Sequence, residues 1–361
     1  MTDQFVELLE KELRSGLFTG AQLFISHLGA VVCDVAVGES VPGTEISTST
    51  YFNLHCATKP IVAMTTARCL EERGLDETAR VSSLVHIGTS DLTIRDLCSH
   101  QAGLREPAAF EYHTASMWSR LQMLAPEKLL ATGAVGKSEY SEIASWFLLK
   151  CVIETLTERS ADDVIAEDLA LLCDGDIWFS ASSDDRERID RVGCYVDLAT
   201  GLPLLHDRIS RFWAPAPPAA EGGFASISGL GRWYASVHRA LKGEEVSGLP
   251  SPAMVRRWTD THRKDKNDPV LGRTCDFALG FMSNLNTHRF GTRPSLGAFG
   301  HSGFLGNSFA WADPDCDLVV AAFRNGITGD PRKNVEQIRP ILVAQIYDEL
   351  GLTASGASDG V

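Results

Sequence analysis

FNLHCATKPI (residues 52–61) sets a cysteine, two spacer residues and a lysine at the head of a segment with a helical pattern. Residues 58–73, TKPIVAMTTARCLEER, read as a helix, and Gly74 suits its C-cap. If that helix begins near Cys56, the thiol stands at its N-terminus and Lys59 falls one turn later on the same face. A helix N-terminus and a neighbouring ammonium both favour thiolate over thiol, which is what a nucleophile needs. A Cys-x-x-Lys pair taken alone is also a common accident. The chain has nine cysteines, at 33, 56, 69, 98, 151, 173, 194, 275 and 316, none in a C-x-x-C pair. Most lie in apolar runs such as ARCL and LLKCVI, so the plain reading of any one is a buried thiol. Cys56 must be told apart by its surroundings.

Outward from that stretch, the bulk composition is that of a globular protein. There are 361 residues, 44% hydrophobic and 22% charged, enough for a sizeable core. Lys and Arg total 33 against 47 Asp and Glu, for a net charge of −14. With no long basic cluster, this balance argues against nucleic acid or an anionic membrane as partner. The opening MTDQFVELLEKELRSG reads as a charged amphipathic helix with Phe5, Leu8, Leu9 and Leu13 on one side, not as a signal peptide. No run approaches the roughly 20 apolar residues of a membrane span. The expectation is a cytoplasmic protein.

Gly20 to Phe24 and Val31 to Val37 read as two strands around a turn at His27-Leu28-Gly29. Helix and loop follow, with a strong helix over 142–159. APAPPAAEGG (214–223) reads as a linker or loop, 227–241 as a helix, and DTHRKDKNDP (260–269) as a charged surface loop. Residues 277–284, 296–301, 307–312 and 317–323 read as short strands. Residues 331–350 read as a closing helix that Pro340 should kink, and TASGASDGV as a disordered tail. The expected fold class is mixed α/β (α+β): an antiparallel sheet flanked by helices, built from both chain ends (1–75 and 220–351). A mainly helical domain (76–219) is inserted in it, and 352–361 form the tail.

Five stretches, in order, resemble the serine β-lactamase and penicillin-binding-protein superfamily, nearest its class C β-lactamase, DD-peptidase and esterase branch. They are GLFTGAQLFISHLGAVVCDVAVGE, YFNLHCATKPIVAM, LTIRDLCSHQAGL, YSEIASWFLLKCVIETLTERSADD and GAFGHSGFLGNSFAWADPDCDLVVAAFRNG, spanning most of residues 17–326. The resemblance implies a β-lactamase/transpeptidase-like fold and places Cys56 where the family has its nucleophilic serine. It makes Lys59 the lysine of the first motif. Tyr140 becomes the tyrosine of the second, moving protons together with Lys59. His301, Ser302 and Gly303 form the third motif, His301 orienting substrate or hydrogen-bonding Tyr140. The backbone N–H groups of Cys56 and Phe304 would form the oxyanion hole.

Two departures matter. Cysteine replaces serine at 56, and Glu142 stands where the family usually has an asparagine that donates to a substrate carbonyl. A carboxylate at neutral pH can only accept, so Glu142 suits a substrate amine or hydroxyl, or a salt bridge to Lys59. Alternatively it is a solvent-facing glutamate at a helix start. Acylation of Cys56 would give a thioester, which reacts readily with amines. The leading expectation is therefore an acyltransferase taking a small-molecule acyl donor (ester, thioester or amide) and an amine or alcohol acceptor, without cofactor, in small-molecule biosynthesis. The alternatives are an esterase or amidase, and a ligand-binding pseudoenzyme. No zinc spacing occurs among the histidines, and DPDCD (313–317) lacks the glycine and glutamate of a calcium loop. Trp118, Trp146, Trp178, Trp213 and Trp311 read as core residues.

Overall fold

The computed structural model describes residues 2–85, 91–104, 136–179, 186–203, 223–327, 330 and 334–352. The readings of 214–222, Trp118, Trp213 and the tail after Leu352 lie outside these residues. Helix α1 (Thr2–Arg14) buries Phe5 and Leu9 and leads into a hairpin of β1 (Gly20–His27) and β2 (Ala30–Val41). Leu28 and Gly29 form its two-residue loop, both at positive φ (53° and 78°), as the twist of a tight hairpin requires.

One nine-stranded sheet organises the molecule. Its remaining strands are β3 (Thr44–Glu45), β7 (Arg263–Asp268), β8 (Arg273–Phe277), β9 (Met282–Ser283), β10 (Phe299–Ser302), β11 (Ser308–Asp313) and β12 (Leu318–Arg324). The order is β3-β2-β1-β12-β11-β10-β9-β8-β7. Strand β1 pairs antiparallel with β12, from Ala21 opposite Arg324 to His27 opposite Leu318, so early and late segments meet mid-sheet. Every residue of β12 is buried, because both faces are covered. Leu318, Val320 and Ala322 join the cluster that contains Phe5 and Leu9 of α1. Val319, Ala321 and Phe323 join the cluster formed with the helices of the other face.

Those helices are α2 (Lys59–Glu72), α3 (Ile94–Cys98), α4 (Ala144–Thr157), α5 (Ala161–Cys173), α6 (Arg186–Asp190), α7 (Ile227–Leu241), α8 (Pro252–Thr259) and α9 (Arg339–Glu349), α9 packing on the α1 side. One continuous apolar cluster runs from the sheet through α2 and α7 to α4 and α5. Strands β4 (Phe52–Asn53), β5 (Ile177–Trp178) and β6 (Phe224–Ala225) form a second small sheet that leads into residue 56.

Two expectations are corrected. Residues 263–268 form the edge strand β7, not a surface loop; its middle residues are exposed while Arg263 and Asp268 at its ends are buried, so no apolar alternation marks it. Pro340 does not kink a long helix. A π-helical turn (Asn334–Ile338) precedes α9, and Pro340 sits in the first turn, where its missing N–H leaves no bond unmade. Trp146, Trp178 and Trp311 are buried, and DPDCD is the turn between β11 and β12. Among the described residues no helix is long and apolar enough to cross a membrane.

Candidate active site

Cys56 lies in a 3₁₀ turn (His55–Thr58) that runs directly into α2, and the Lys59 N–H donates to the Cys56 carbonyl. The turn is set before it begins. Leu54 N–H donates to Gly223 O (2.8 Å), Tyr195 Oη donates to Asn53 O (3.0 Å), and His55 N–H donates to Asn53 Oδ1 (2.8 Å). His55 then adopts φ 48°, a left-handed conformation that costs a non-glycine residue roughly 1–2 kcal/mol. This is a sharp strand-to-helix entry with the cysteine at its crest.

Exposure sets Cys56, Cys151 and Cys316 apart from the other thiols. None of the nine cysteines is in a disulfide, and six are buried; Cys56, Cys151 and Cys316 are half-buried. Burial pushes Cys33 and Cys173 up to about 12 and Cys69 to about 11. Cys151 and Cys316 are also pushed up to about 11, by partial burial and then by Glu154 and Asp313 respectively. Such thiols are protonated and inert at neutral pH.

Helix α2 is buried almost all round, and Lys59 at its first turn is completely enclosed. Its Nζ lies 5.5 Å from the ring centroids of both Tyr140 and Trp146. Tyr140 is 4% exposed, so the tyrosine of the YSE motif has been carried into the interior beside the lysine. His100 stacks on Tyr140 with centroids 4.3 Å apart, and its Nδ1 accepts from Ser141 N–H at 3.0 Å. Ser141 is held twice more: its carbonyl accepts from Trp146 Nε1, and its Oγ accepts from Ser145 N–H, both at 3.0 Å. Sequence reasoning assigned His100 no role, although it lies inside LTIRDLCSHQAGL.

His301, on β10, is also fully buried, with its ring 6.4 Å from that of Tyr140. Its Nδ1–H donates to Ser302 O at 2.9 Å, which fixes the tautomer and leaves Nε2 as a buried acceptor with no partner among the described residues. His301 therefore does not hydrogen-bond Tyr140 here. Burial, and then the charge of Lys59, push its pKa down to about 3, so it is neutral at working pH. Ser302 is half-buried, its Oγ 3.9 Å from Met282 Sδ. Gly303 is buried against the cysteine turn: Ser308 Oγ donates to Leu54 O at 2.9 Å, and Gly303 N–H donates to Ser308 O at 2.7 Å. Phe304 follows, its ring 5.2 Å from that of His55. The third-motif loop and the cysteine turn are thus locked together. Glu142 is exposed, two residues before α4. Among the described residues no cluster could hold a metal ion.

The arrangement is a half-exposed thiol at a helix start, a buried amine walled by two aromatic rings, and a neutral histidine acceptor on the facing strand. Comparison with known proteins is consistent with it. The chain is 27% identical over 350 residues to the esterase/β-lactamase LipL of Mycobacterium tuberculosis, covering 85% of this chain and 77% of that protein. It is similar in fold to a family VIII carboxylesterase (TM-score 0.74, 20% identity, 96% of this chain and 97% of that one). It is similar also to EstCE1, described as a hydrolase with promiscuous acyltransferase activity (TM-score 0.69, 17% identity, 93% and 95% of the two chains). The Beta-lactamase family model matches residues 5–344, and with that coverage the chain belongs to the Beta-lactamase family.

Proposed function

We propose that this protein is an acyl-enzyme catalyst in which Cys56 replaces the serine nucleophile and passes an acyl group to an amine or alcohol. The observation that carries the reading is the enclosure of Lys59 between Tyr140 and Trp146, one turn from a half-exposed thiol. It sets an amine beside the thiol, within the enclosed environment where a base and its nucleophile work as a pair. In the first step Cys56 Sγ attacks the carbonyl carbon of the donor. Its proton passes by way of Lys59 and Tyr140 to the leaving group, and the bond from carbonyl carbon to leaving group breaks. In the second, the acceptor loses a proton along the same route, attacks the thioester carbon and releases Cys56. The Cys56 and Phe304 N–H groups are assigned to the oxyanion, and His301 Nε2 to accepting a hydrogen bond from substrate. Glu142, exposed two residues before α4, is assigned to an amine or hydroxyl of the incoming molecule. The acceptor and donor are small molecules, and the reaction needs no cofactor.

Hydrolysis is the second reading, favoured by the name of LipL; EstCE1 is described with both activities on one fold. Intact-mass measurement after incubation with a panel of activated esters and thioesters tests the proposal. An acyl adduct on the wild type that is absent from Cys56→Ala supports it. If no donor leaves an adduct, and Cys56 is alkylated no faster than free cysteine, the nucleophile assignment fails and a ligand-binding role is left. Added amines then sort transfer from hydrolysis: free acid as the sole product would remove the transferase reading.

A further inference from the structure

His100 stands just past α3, whose C-cap is Ser99, at φ 58°. This is the left-handed position at which helices ordinarily end on glycine or asparagine. An imidazole there carries backbone strain, so its contacts must offset that. The turn presents two of its groups to the segment that carries Tyr140. The His100 carbonyl accepts from Glu139 N–H at 3.0 Å, and its Nδ1 accepts from Ser141 N–H at 3.0 Å. Between these anchors the imidazole lies on the Tyr140 ring at 4.3 Å and 28°. The residues on either side of Tyr140 are therefore tied to one residue, and the ring of that residue backs the phenol. Arg263 Nη1 holds the same carbonyl at 3.0 Å, and Phe277 closes the other side of the imidazole edge-on at 4.6 Å.

We propose that His100 is a positioning residue for proton transfer: it clamps Tyr140 from both sides and, through Ser141 and Trp146, sets the two rings that enclose the Lys59 amine. The proposal rests on the roles assigned to Lys59 and Tyr140 above. Accepting from Ser141 N–H places the His100 proton on Nε2. The imidazole stays in that form, because burial and then the charges of Arg263 and Lys59, with His301 and His288 adding to them, hold its pKa well below the ordinary value. The clamp therefore does not open as pH falls through the working range. If the phenol tilted, Lys59 would lose one of its two walls, and the proton path from Cys56 would lengthen.

Two substitutions separate ring from acceptor. His100→Phe keeps an aromatic ring and removes Nδ1. His100→Asn keeps an acceptor close to Nδ1, tolerates positive φ and removes the ring. For each, Cys56 alkylation by iodoacetamide is followed against pH by intact mass, with p-nitrophenyl acetate turnover and thermal melting alongside. The Phe variant is expected to alkylate at least about tenfold more slowly at pH 7, with the midpoint moved upward, and to lose kcat with KM within about twofold. The Asn variant is expected to lie between it and wild type. Should His100→Phe not fold, Trp146→Phe, which removes the donor to Ser141 O and keeps an aromatic wall, carries the same expectation at smaller size. Variants that melt earlier yet keep the wild-type alkylation profile and kcat would overturn the proposal while leaving Cys56 as nucleophile. A wild-type Cys56 that titrates like a free thiol would instead remove the reading on which it rests, and the proposal with it.

Discussion

A Cβ on Gly303 would lie 2.2 Å from the carbonyl oxygen of Leu54. The same atom would come within 2.1 Å of Ser308 Oγ, which itself donates to that carbonyl. The third-motif strand and the cysteine turn therefore touch through backbone, with no room for a methyl group. Gly303 has φ −92°, so the demand is for space and not for a left-handed conformation. Gly303→Ala should lower stability by about 1–3 kcal/mol through overpacking and push Phe304 away from Cys56. Acylation should fall by more than about tenfold. Thermal melting and the rate of adduct formation check both; wild-type values in each would mean that the two segments part without consequence.

Replacing the nucleophile probes the reaction's second half. Cys56→Ser should still be acylated, but as an ester, and esters surrender their acyl group to amines less readily than thioesters. The ratio of amide product to free acid should drop in the serine variant at a fixed amine concentration. An unchanged ratio would show that the acceptor is chosen by the pocket and not by the sulfur.

Lys59→Met keeps length and removes the amine. Loss of a general base should slow acylation by about 10²–10⁴-fold. The side chain is fully enclosed, and an apolar replacement of similar volume at a buried charge is often neutral or stabilising, so the melting temperature should hold or rise. A normal acylation rate would remove Lys59 from the mechanism.

Three fully buried imidazoles set a pH limit on the fold. Burial holds His100 and His288 well below their ordinary range and His301 at about 3. Below the unfolded value near 6.5 the unfolded chain takes up protons that the folded one refuses, so stability falls as pH drops. Asp168 opposes this: burial raises it to about 6, so the folded state gains its proton first as pH drops from about 6 toward 3.8. The imidazoles outnumber it. Urea unfolding should show stability declining near pH 5.5 by on the order of 3 kcal/mol per pH unit. A flat profile from pH 7 to 5 would contradict the enclosure of these rings.

The sheet was legible where its strands are covered. Val319 to Phe323 is an apolar run that can only be interior, and the hairpin at Leu28-Gly29 announces itself by its turn. The edge strand β7 was not legible, because solvent reaches both of its faces and RKDKND carries no alternation. In the site, the spacing from Cys56 to Lys59 and the YSE and GHSG motifs could be read locally. The stacking of His100 on Tyr140 could not: it joins residues 40 apart in sequence, and no periodicity records it. The left-handed His55 was hidden for a similar reason, since its strain is imposed by Asn53, Gly223 and Tyr195 from three separate stretches.

The pairing of Ala21 with Arg324 bears on when chemistry can begin. During synthesis the ribosome delivers Cys56 early, but the strand that carries His301, the Gly303 contact with Leu54 and the closing pair of β1 with β12 all emerge more than 240 residues later. On the proposed reading, a nascent chain holds Cys56 without its partners for most of its translation, and the candidate site is assembled last.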